Sequence, residues 1–95
     1  MSNKTEIEEK IYFDGNVKSH RAIKKDKPFL SVGMVLPGKY DFGTAKTTEI
    51  IRVTSGAIKI NGILHYAGAG HCTIAPGDKI EFATEEISSY ICRYN

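Results

Sequence analysis

The chain has 95 residues, of which 41% are apolar and 25% are charged, and this length predicts one small domain spanning residues 1–95. The formal net charge of +2 and the lack of a strong basic patch give no electrostatic reason to expect nucleic acid or a membrane as a partner. A polar start and the absence of any apolar run near the ~18 residues of a membrane helix predict a cytoplasmic protein.

The N-terminal segment 1–11 is rich in glutamate and poor in apolar residues. Asn3 or Thr5 is a suitable cap for a short helix, with glutamates in its first turn, and a mobile arm is the alternative interpretation. A weak strand is predicted over residues 17–23. The lysine-rich segment 24–28 is predicted to be a polar loop that Pro28 ends.

Apolar runs and glycine turns alternate through the rest of the chain. A nearly continuous apolar strand covers residues 29–36, and Gly33 within it predicts a bulge or a close approach to the backbone. Asn61-Gly62 lies between two apolar runs and predicts a two-residue hairpin turn of type I′. Roughly eight or nine short strands with no long helix are typical of a sandwich, jelly roll or barrel. Further turns are predicted at residues 37–38, 55–56 and 76–78.

Alternation along two of these strands predicts a polar pocket. One strand carries four side chains of the same parity, which share a face: Tyr40, Phe42, Thr44 and Lys46. Glu49 has the parity of Ile51 and Val53, and the face of β-branched residues is the interior one in a half-buried strand. A small barrel with Thr44, Lys46 and Glu49 inside it contains a polar pocket.

Two glycine-anchored motifs resemble the paired motifs of the cupin superfamily. In the first, Gly38 is followed by Thr44-Ala45-Lys46 where cupins carry a histidine pair, and then by Glu49 and a later glycine. In the second, GHCTIAPG at 70–77 matches, but the next residues are DKIEF (78–82), with no histidine where cupins carry one. The resemblance implies an all-β, single-domain cupin with an RmlC-like jelly-roll barrel that lacks all three metal histidines.

Nearly the whole chain resembles one small cupin family, the pyrimidine/purine nucleoside phosphorylases. SYICRY at 89–94 is the most specific segment, because nothing general about cupins requires it. The resemblance implies phosphorolysis of nucleosides to free base and ribose 1-phosphate, with broad tolerance for the base. The other resembling segments are YFDGNVKS (12–19), SVGM (31–34), GKYDFGTA (38–45), Glu49, VTSGA (53–57) and GHCTIAPG (70–77).

Phosphorolysis needs cationic donors for phosphate and polar groups for ribose, but no nucleophilic side chain, metal or other cofactor. Arg93 is expected to hold phosphate, because a guanidinium binds it bidentately. Lys46 and Thr44, at the histidine positions, are expected to contact phosphate or ribose. Glu49 is expected either to accept hydrogen bonds from ribose and stabilise positive charge on the sugar, or, with a raised pKa, to protonate the base.

Two further residues are substrate-binding candidates. His71 could protonate the leaving base, and Tyr94 could stack on the base if it faces inward. Tyr90, Cys92 and Tyr94 have the parity opposite to Arg93, and the sequence leaves open which set faces the interior. Exposed edge strands in so small a β protein predict a homodimer.

Two other functions remain open from the sequence. A non-enzymatic cupin that binds a sugar or nucleotide would use the same pocket. A metal-dependent cupin oxygenase with unorthodox ligands such as His65, His71 and Glu49 is the second alternative. The cysteines predict no metal site, because Cys72 and Cys92 have no CxxC spacing and are expected to be reduced, buried side chains.

Overall fold

The computed structural model of the chain describes residues 4–95. In this range the chain forms ten β-strands and one short 3-10 helix at Phe13–Gly15, with no α-helix, which confirms the predicted all-β class. Across the same residues, no helix is long and apolar enough to cross a membrane. The strands are β1 (Glu6–Tyr12), β2 (Val17–Lys24), β3 (Lys27–Val35), β4 (Gly38–Thr44), β5 (Glu49–Ser55), β6 (Ala57–Ile60), β7 (Ile63–Tyr66), β8 (Cys72–Ile74), β9 (Lys79–Thr84) and β10 (Ser88–Tyr94).

The strands form two antiparallel sheets that enclose one core. The six-stranded sheet has the order β1-β2-β3-β10-β5-β8, and the four-stranded sheet has the order β4-β9-β6-β7. Ile51 and Val53 from the first sheet and Ile58 and Ile60 from the second are among the buried core side chains. Two sheets that bury their inner faces against each other form a β-sandwich, the architecture of a jelly roll.

The hairpin turns follow their local chemistry. Asn61 and Gly62 have φ values of 50° and 83° and join β6 to β7, as the predicted type I′ turn requires. Lys25 and Asp26 also have positive φ values, 53° and 63°. The prediction of a polar loop over 24–28 is therefore wrong, because two residues suffice for the turn and Pro28 lies within β3.

The N-terminal segment is a strand in the described part of the chain. β1 pairs with β2 in an unbroken register from Glu6↔Ile23 to Tyr12↔Val17. The helix prediction is wrong here, since the free edge of β2 offers a full ladder of backbone hydrogen bonds that overrides weak local helix propensity. The proposed cap Asn3 lies outside the described residues.

Inward-facing side chains change from apolar to polar along four neighbouring strands of the large sheet. Val17 and Val35, at one end, are fully buried, whereas Arg21 and Glu49, at the other end, are partly exposed. One end of the sandwich is therefore a packed apolar core, and the other end is a polar interior. The inward sets are Val17, Ser19 and Arg21 on β2; Val35, Gly33 and Ser31 on β3; Ser88, Tyr90, Cys92 and Tyr94 on β10; and Val53, Ile51 and Glu49 on β5.

Gly33 allows a tyrosine ring to lie across β3, as the predicted close approach requires. A Cβ atom on Gly33 would stand 2.6 Å from the Tyr90 Oη and 2.7 Å from Cζ of the ring. We expect Gly33→Ala to lower the free energy of unfolding by about 1–3 kcal/mol, the usual cost of forcing extra volume into a packed core. Urea denaturation measures this change. In a Tyr90→Leu background the same substitution should cost much less, and an equal cost in both backgrounds would show that Tyr90 is not the obstacle.

Candidate functional site

A cavity of about 420 Å³ lies between the two sheets at the polar end of the interior. This volume falls within the roughly 300–1,000 Å³ typical of small-molecule sites. Aromatic side chains form much of its wall, and the Phe42 ring contacts Phe82 with a centroid separation of 5.0 Å. Polar groups from both sheets converge on it: Ser19, Arg21, Ser31, Thr44, Lys46, Thr47, Glu49 and Cys92.

A larger groove of about 960 Å³ crosses the outer face of the four-stranded sheet. Its charged side chains, such as Lys39, Lys59 and Glu81, are all exposed. The interior cavity instead contains partly buried ionisable groups with shifted pKa values, which are typical of functional sites. We therefore take the interior cavity as the candidate site.

Glu49 and Cys92 form the polar pair of the cavity. The Cys92 thiol donates a hydrogen bond to Glu49 Oε1 with an Sγ···O distance of 3.4 Å. Burial raises the pKa of the Glu49 carboxyl above its ordinary value, and the Cys92 hydrogen bond and the charge of Arg21 partly offset this rise. Burial and the neighbouring Glu49 charge raise the pKa of Cys92 to about 12, so the sulfur remains a neutral donor and not a nucleophile.

Arg21 brings a cation to the same cavity. It projects from the inner face of β2, and its guanidinium carbon lies 5.9 Å from the centroid of the Tyr94 ring. Glu8 Oε1 lies 3.9 Å from one terminal nitrogen of Arg21. The Nε atom of Arg21 is buried and has no hydrogen-bond partner among the described residues. A buried donor without a partner is costly, so the Arg21 guanidinium keeps unused hydrogen-bonding capacity beside the cavity.

Tyr94 is held in place beside this guanidinium. Its hydroxyl shares a hydrogen bond with Ser31 Oγ at 3.0 Å, and burial raises the pKa of Tyr94 to about 12. β10 pairs with β5 in a register that places Tyr94 opposite Glu49. Tyr94, Glu49 and Arg21 therefore meet at one end of the cavity, where a polar ligand could contact all three.

The structure brings four of the six predicted site residues to the cavity and leaves two outside it. Thr44, Lys46, Glu49 and Tyr94 line the cavity, the first two at its exposed rim. Their roles stay predictions.

Arg93 and His71 do not line the cavity, and both are exposed. Arg93 faces outward because the buried Tyr90 and Cys92 belong to the opposite parity of β10. His71 precedes β8 and is not part of it. The phosphate role predicted for Arg93 therefore has no support from the cavity, whose cation on this sheet is Arg21.

Sequence reasoning missed Arg21 because both faces of β2 look polar. Lys18 and His20 flank Ser19, so alternation alone does not reveal the inward side. The available signal was the parity that Arg21 shares with Val17, an apolar residue.

Metal-ligating side chains do not cluster in the part of the chain that is described. No group of three or more His, Cys, Asp or Glu residues there could hold a metal ion. His65, His71 and Glu49, the unorthodox ligands considered above, therefore do not form a metal site in residues 4–95.

Comparison with known proteins decides the family. The model of the pyrimidine/purine nucleoside phosphorylase family matches residues 7–94. The chain belongs to this family. A pyrimidine/purine nucleoside phosphorylase of Pseudomonas putida strain F1 is 38% identical over 88 residues, which cover 87% of this chain and 92% of that protein. A pyrimidine/purine nucleoside phosphorylase of a Sulfurovum species is 32% identical over 94 residues, which cover 94% of this chain and 90% of that protein.

Solved structures agree on the fold. A Vibrio parahaemolyticus protein of unknown function has a TM-score of 0.78 and 28% identity, covering 95% of this chain and 99% of that chain. The cupin domain of Drosophila melanogaster CENP-C has a TM-score of 0.71 at 15% identity, covering 95% and 76%. At that identity the likeness concerns the fold alone, and it confirms the predicted cupin jelly roll.

Proposed function

We propose that the chain is a nucleoside phosphorylase that cleaves purine and pyrimidine nucleosides with inorganic phosphate, without a metal, to free base and α-D-ribose 1-phosphate. Membership of the family supports the reaction class. The observation that carries the proposal for this chain is that Arg21, whose buried Nε has no partner among residues 4–95, lines the same cavity as Glu49. A guanidinium donor beside a carboxylate is what an anionic nucleophile and a cationic sugar require.

Arg21 is proposed as the phosphate ligand. Its guanidinium offers charge-assisted hydrogen bonds to phosphate oxygens, which are shorter and stronger than neutral ones. Lys46 at the cavity rim supplies a second positive charge, and Thr44 beside it supplies a hydroxyl. Glu8 and the Tyr94 ring both lie near the guanidinium, so phosphate meets a cation that is already positioned.

Glu49 is proposed to act on the ribose. In the reaction the C1′–N bond to the base breaks, an oxygen of hydrogen phosphate bonds to C1′, and the departing base takes up the proton that the phosphate loses. Positive charge develops on the sugar between departure of the base and attack of the phosphate. The Glu49 carboxylate stabilises that charge and accepts hydrogen bonds from ribose hydroxyls, and its partly buried position strengthens the interaction.

The aromatic wall is proposed to hold the base. Tyr12, Phe42 and Tyr94 line the cavity, and stacking on a ring face is available to every base. Such contacts do not read the hydrogen-bonding edge of the base, which fits a site that accepts both purines and pyrimidines.

Tyr94 provides a test of the stacking role. We expect Tyr94→Ala to raise KM for nucleosides by about 10- to 100-fold, because stacking of one base on an aromatic ring is worth roughly 1–3 kcal/mol. Tyr94→Phe keeps the ring and loses only the hydrogen bond to Ser31, so its KM should stay near that of the wild type. Steady-state kinetics with uridine and adenosine measure both. An equal increase in KM in the two variants would show that the hydroxyl of Tyr94, and not its ring, binds the substrate.

Release of free base from uridine, adenosine, inosine and guanosine, with and without phosphate and after treatment with EDTA, tests the proposed reaction. We expect release that requires phosphate, survives EDTA and yields ribose 1-phosphate. If EDTA abolished the release of free base and an added metal ion restored it, the proposed metal independence would be contradicted. No release from any nucleoside would favour the non-enzymatic cupin that binds a sugar or nucleotide. The proposal includes a cytoplasmic homodimer as the working form.

A further inference from the structure

We propose that Cys92 is a positioning residue for Glu49. Its thiol holds one carboxylate oxygen, so that the other oxygen and the full negative charge of the carboxylate remain available to the ribose. The inference rests on the role proposed above for Glu49. The contact that carries it is the hydrogen bond from Cys92 Sγ to Glu49 Oε1 at 3.4 Å. This contact lies in the interior, since only 2% of Cys92 is exposed.

The thiol proton of Cys92 has two oxygens within reach, and Glu49 is the better acceptor. The backbone oxygen of Arg93 lies 3.8 Å from the sulfur, farther than Glu49 Oε1. The nearer oxygen also belongs to an ionised group, and hydrogen bonds to charged acceptors are the stronger ones. Burial raises the pKa of Cys92 to about 12, so the proton stays on the sulfur around neutral pH.

This hydrogen bond fixes the orientation of the carboxylate. Cys92 lies opposite Ile51 in the pairing of β10 with β5, and Glu49 lies two residues along β5 on the same inner face. The donor and the acceptor therefore stand on two paired strands, a rigid support for a functional group. Within residues 4–95, Glu49 Oε2 accepts no hydrogen bond. With Oε1 held by the thiol, Oε2 is the oxygen left for a ribose hydroxyl.

A neutral donor stabilises the carboxylate without cancelling its charge. In the described chain Glu49 forms no ion pair closer than 4.0 Å, and the charge of Arg21 acts on it from a greater distance. A cation in direct contact would oppose the positive charge that develops on the sugar, whereas the thiol adds no charge. The titratable and charged groups that share the cavity with Glu49 are Tyr12 on β1, Arg21 on β2, Lys46 before β5, and Tyr90, Cys92 and Tyr94 on β10.

A pH titration of the Glu49 carboxyl by ¹³C NMR on the ligand-free protein tests the contact without any nucleoside. The Glu49 signal is assigned by its loss in Glu49→Gln. We expect a higher pKa of Glu49 in Cys92→Ala than in the wild type, because a hydrogen bond to the charged form has been removed. Cys92→Ser keeps a donor and should hold this pKa closer to the wild-type value. An unchanged pKa in Cys92→Ala overturns the proposal.

Kinetics test whether Cys92 acts through Glu49. We expect Cys92→Ala to lower kcat for uridine at neutral pH by roughly 3- to 10-fold, a modest loss because a thiol is a weak donor. The acidic limb of the pH profile should move to higher pH. In the Glu49→Gln background the same substitution should change kcat by less than about twofold, since the carboxylate is already gone. An equal loss in both backgrounds overturns the proposal.

Cys72→Ala is the matched control. Cys72 and Cys92 pair with Ile51 from opposite sides, on β8 and β10. Cys72→Ala should leave the pKa of Glu49 unchanged, and a shift as large as that in Cys92→Ala overturns the proposal. Circular dichroism checks that each variant folds, and Cys92→Val fills the volume without a donor if Cys92→Ala does not fold.

The two measurements separate failure of this inference from failure of the proposed function. An active wild type whose Glu49 pKa does not respond to Cys92→Ala refutes the positioning role alone. If the wild type cleaves no nucleoside, the proposed function fails, and the positioning role fails with it even where the pKa responds.

Discussion

Arg21→Ala is expected to lower kcat/KM for phosphate by roughly 10²- to 10³-fold, the usual loss when one preorganised donor is removed from a charged transition state. The guanidinium lines the cavity, and its buried Nε has no described partner. Arg21→Lys keeps the charge without the planar donor set and should recover only part of the loss. Initial rates over a range of phosphate concentrations at saturating uridine measure these changes.

Arg93→Ala is the matched comparison for Arg21→Ala. Arg93 is exposed on the outer face of β10 and does not line the cavity. We expect its removal to change kcat/KM for phosphate by less than about threefold, as for surface substitutions away from a site. The reverse order of effects, with Arg93→Ala severe and Arg21→Ala mild, would place the phosphate site outside the cavity.

Glu49→Gln is expected to lower kcat by roughly 10²- to 10³-fold at neutral pH, because the amide cannot stabilise positive charge on the sugar. In the wild type, kcat should fall as the pH drops through the pKa of Glu49. Burial raises that pKa from its ordinary value of 4.5, so the acidic limb of the pH profile should lie above pH 4.5. This limb should be absent in Glu49→Gln. A limb unchanged in the variant would assign the titration to another group.

Glu49→Gln should also change the pH dependence of stability. The pKa of Glu49 is raised by burial in the folded chain, so its contribution to stability is fully present below the unfolded pKa and is lost as the pH rises through the folded pKa. The amide in Glu49→Gln stays neutral at every pH, so the stability of the variant does not fall in this way as the pH rises. Urea denaturation should therefore show the variant more stable than the wild type at neutral pH, with the difference shrinking in acid. A variant less stable at neutral pH would contradict the burial cost.

The strands and turns could be predicted because their causes are local. Asn61-Gly62 specifies its hairpin through two positive φ angles, and the parity of Glu49 with two β-branched residues indicates the interior correctly. β1 could not be predicted, because its pairing with β2 depends on a partner edge that local sequence does not describe. The turn at Lys25 and Asp26 could not be predicted either, because it depends on the pairing of β2 with β3.

The inward face of β10 could not be predicted because both of its faces carry apolar residues. Tyr90 and Cys92 are buried in the core, and Ile91 lies on the opposite, outer face. Arg21 escaped prediction for the opposite reason, since β2 carries polar residues on both faces.

Locating the anion directly is the most decisive measurement. Arsenate is a phosphate analogue whose arsenic atom scatters anomalously, so crystals soaked with it reveal the anion site without assumptions about the protein. The expected result is an arsenic peak inside the cavity, with arsenate oxygens within hydrogen-bond distance of the Arg21 guanidinium. A peak beside Arg93 or in the groove of the four-stranded sheet, with an empty cavity, would contradict the proposed site.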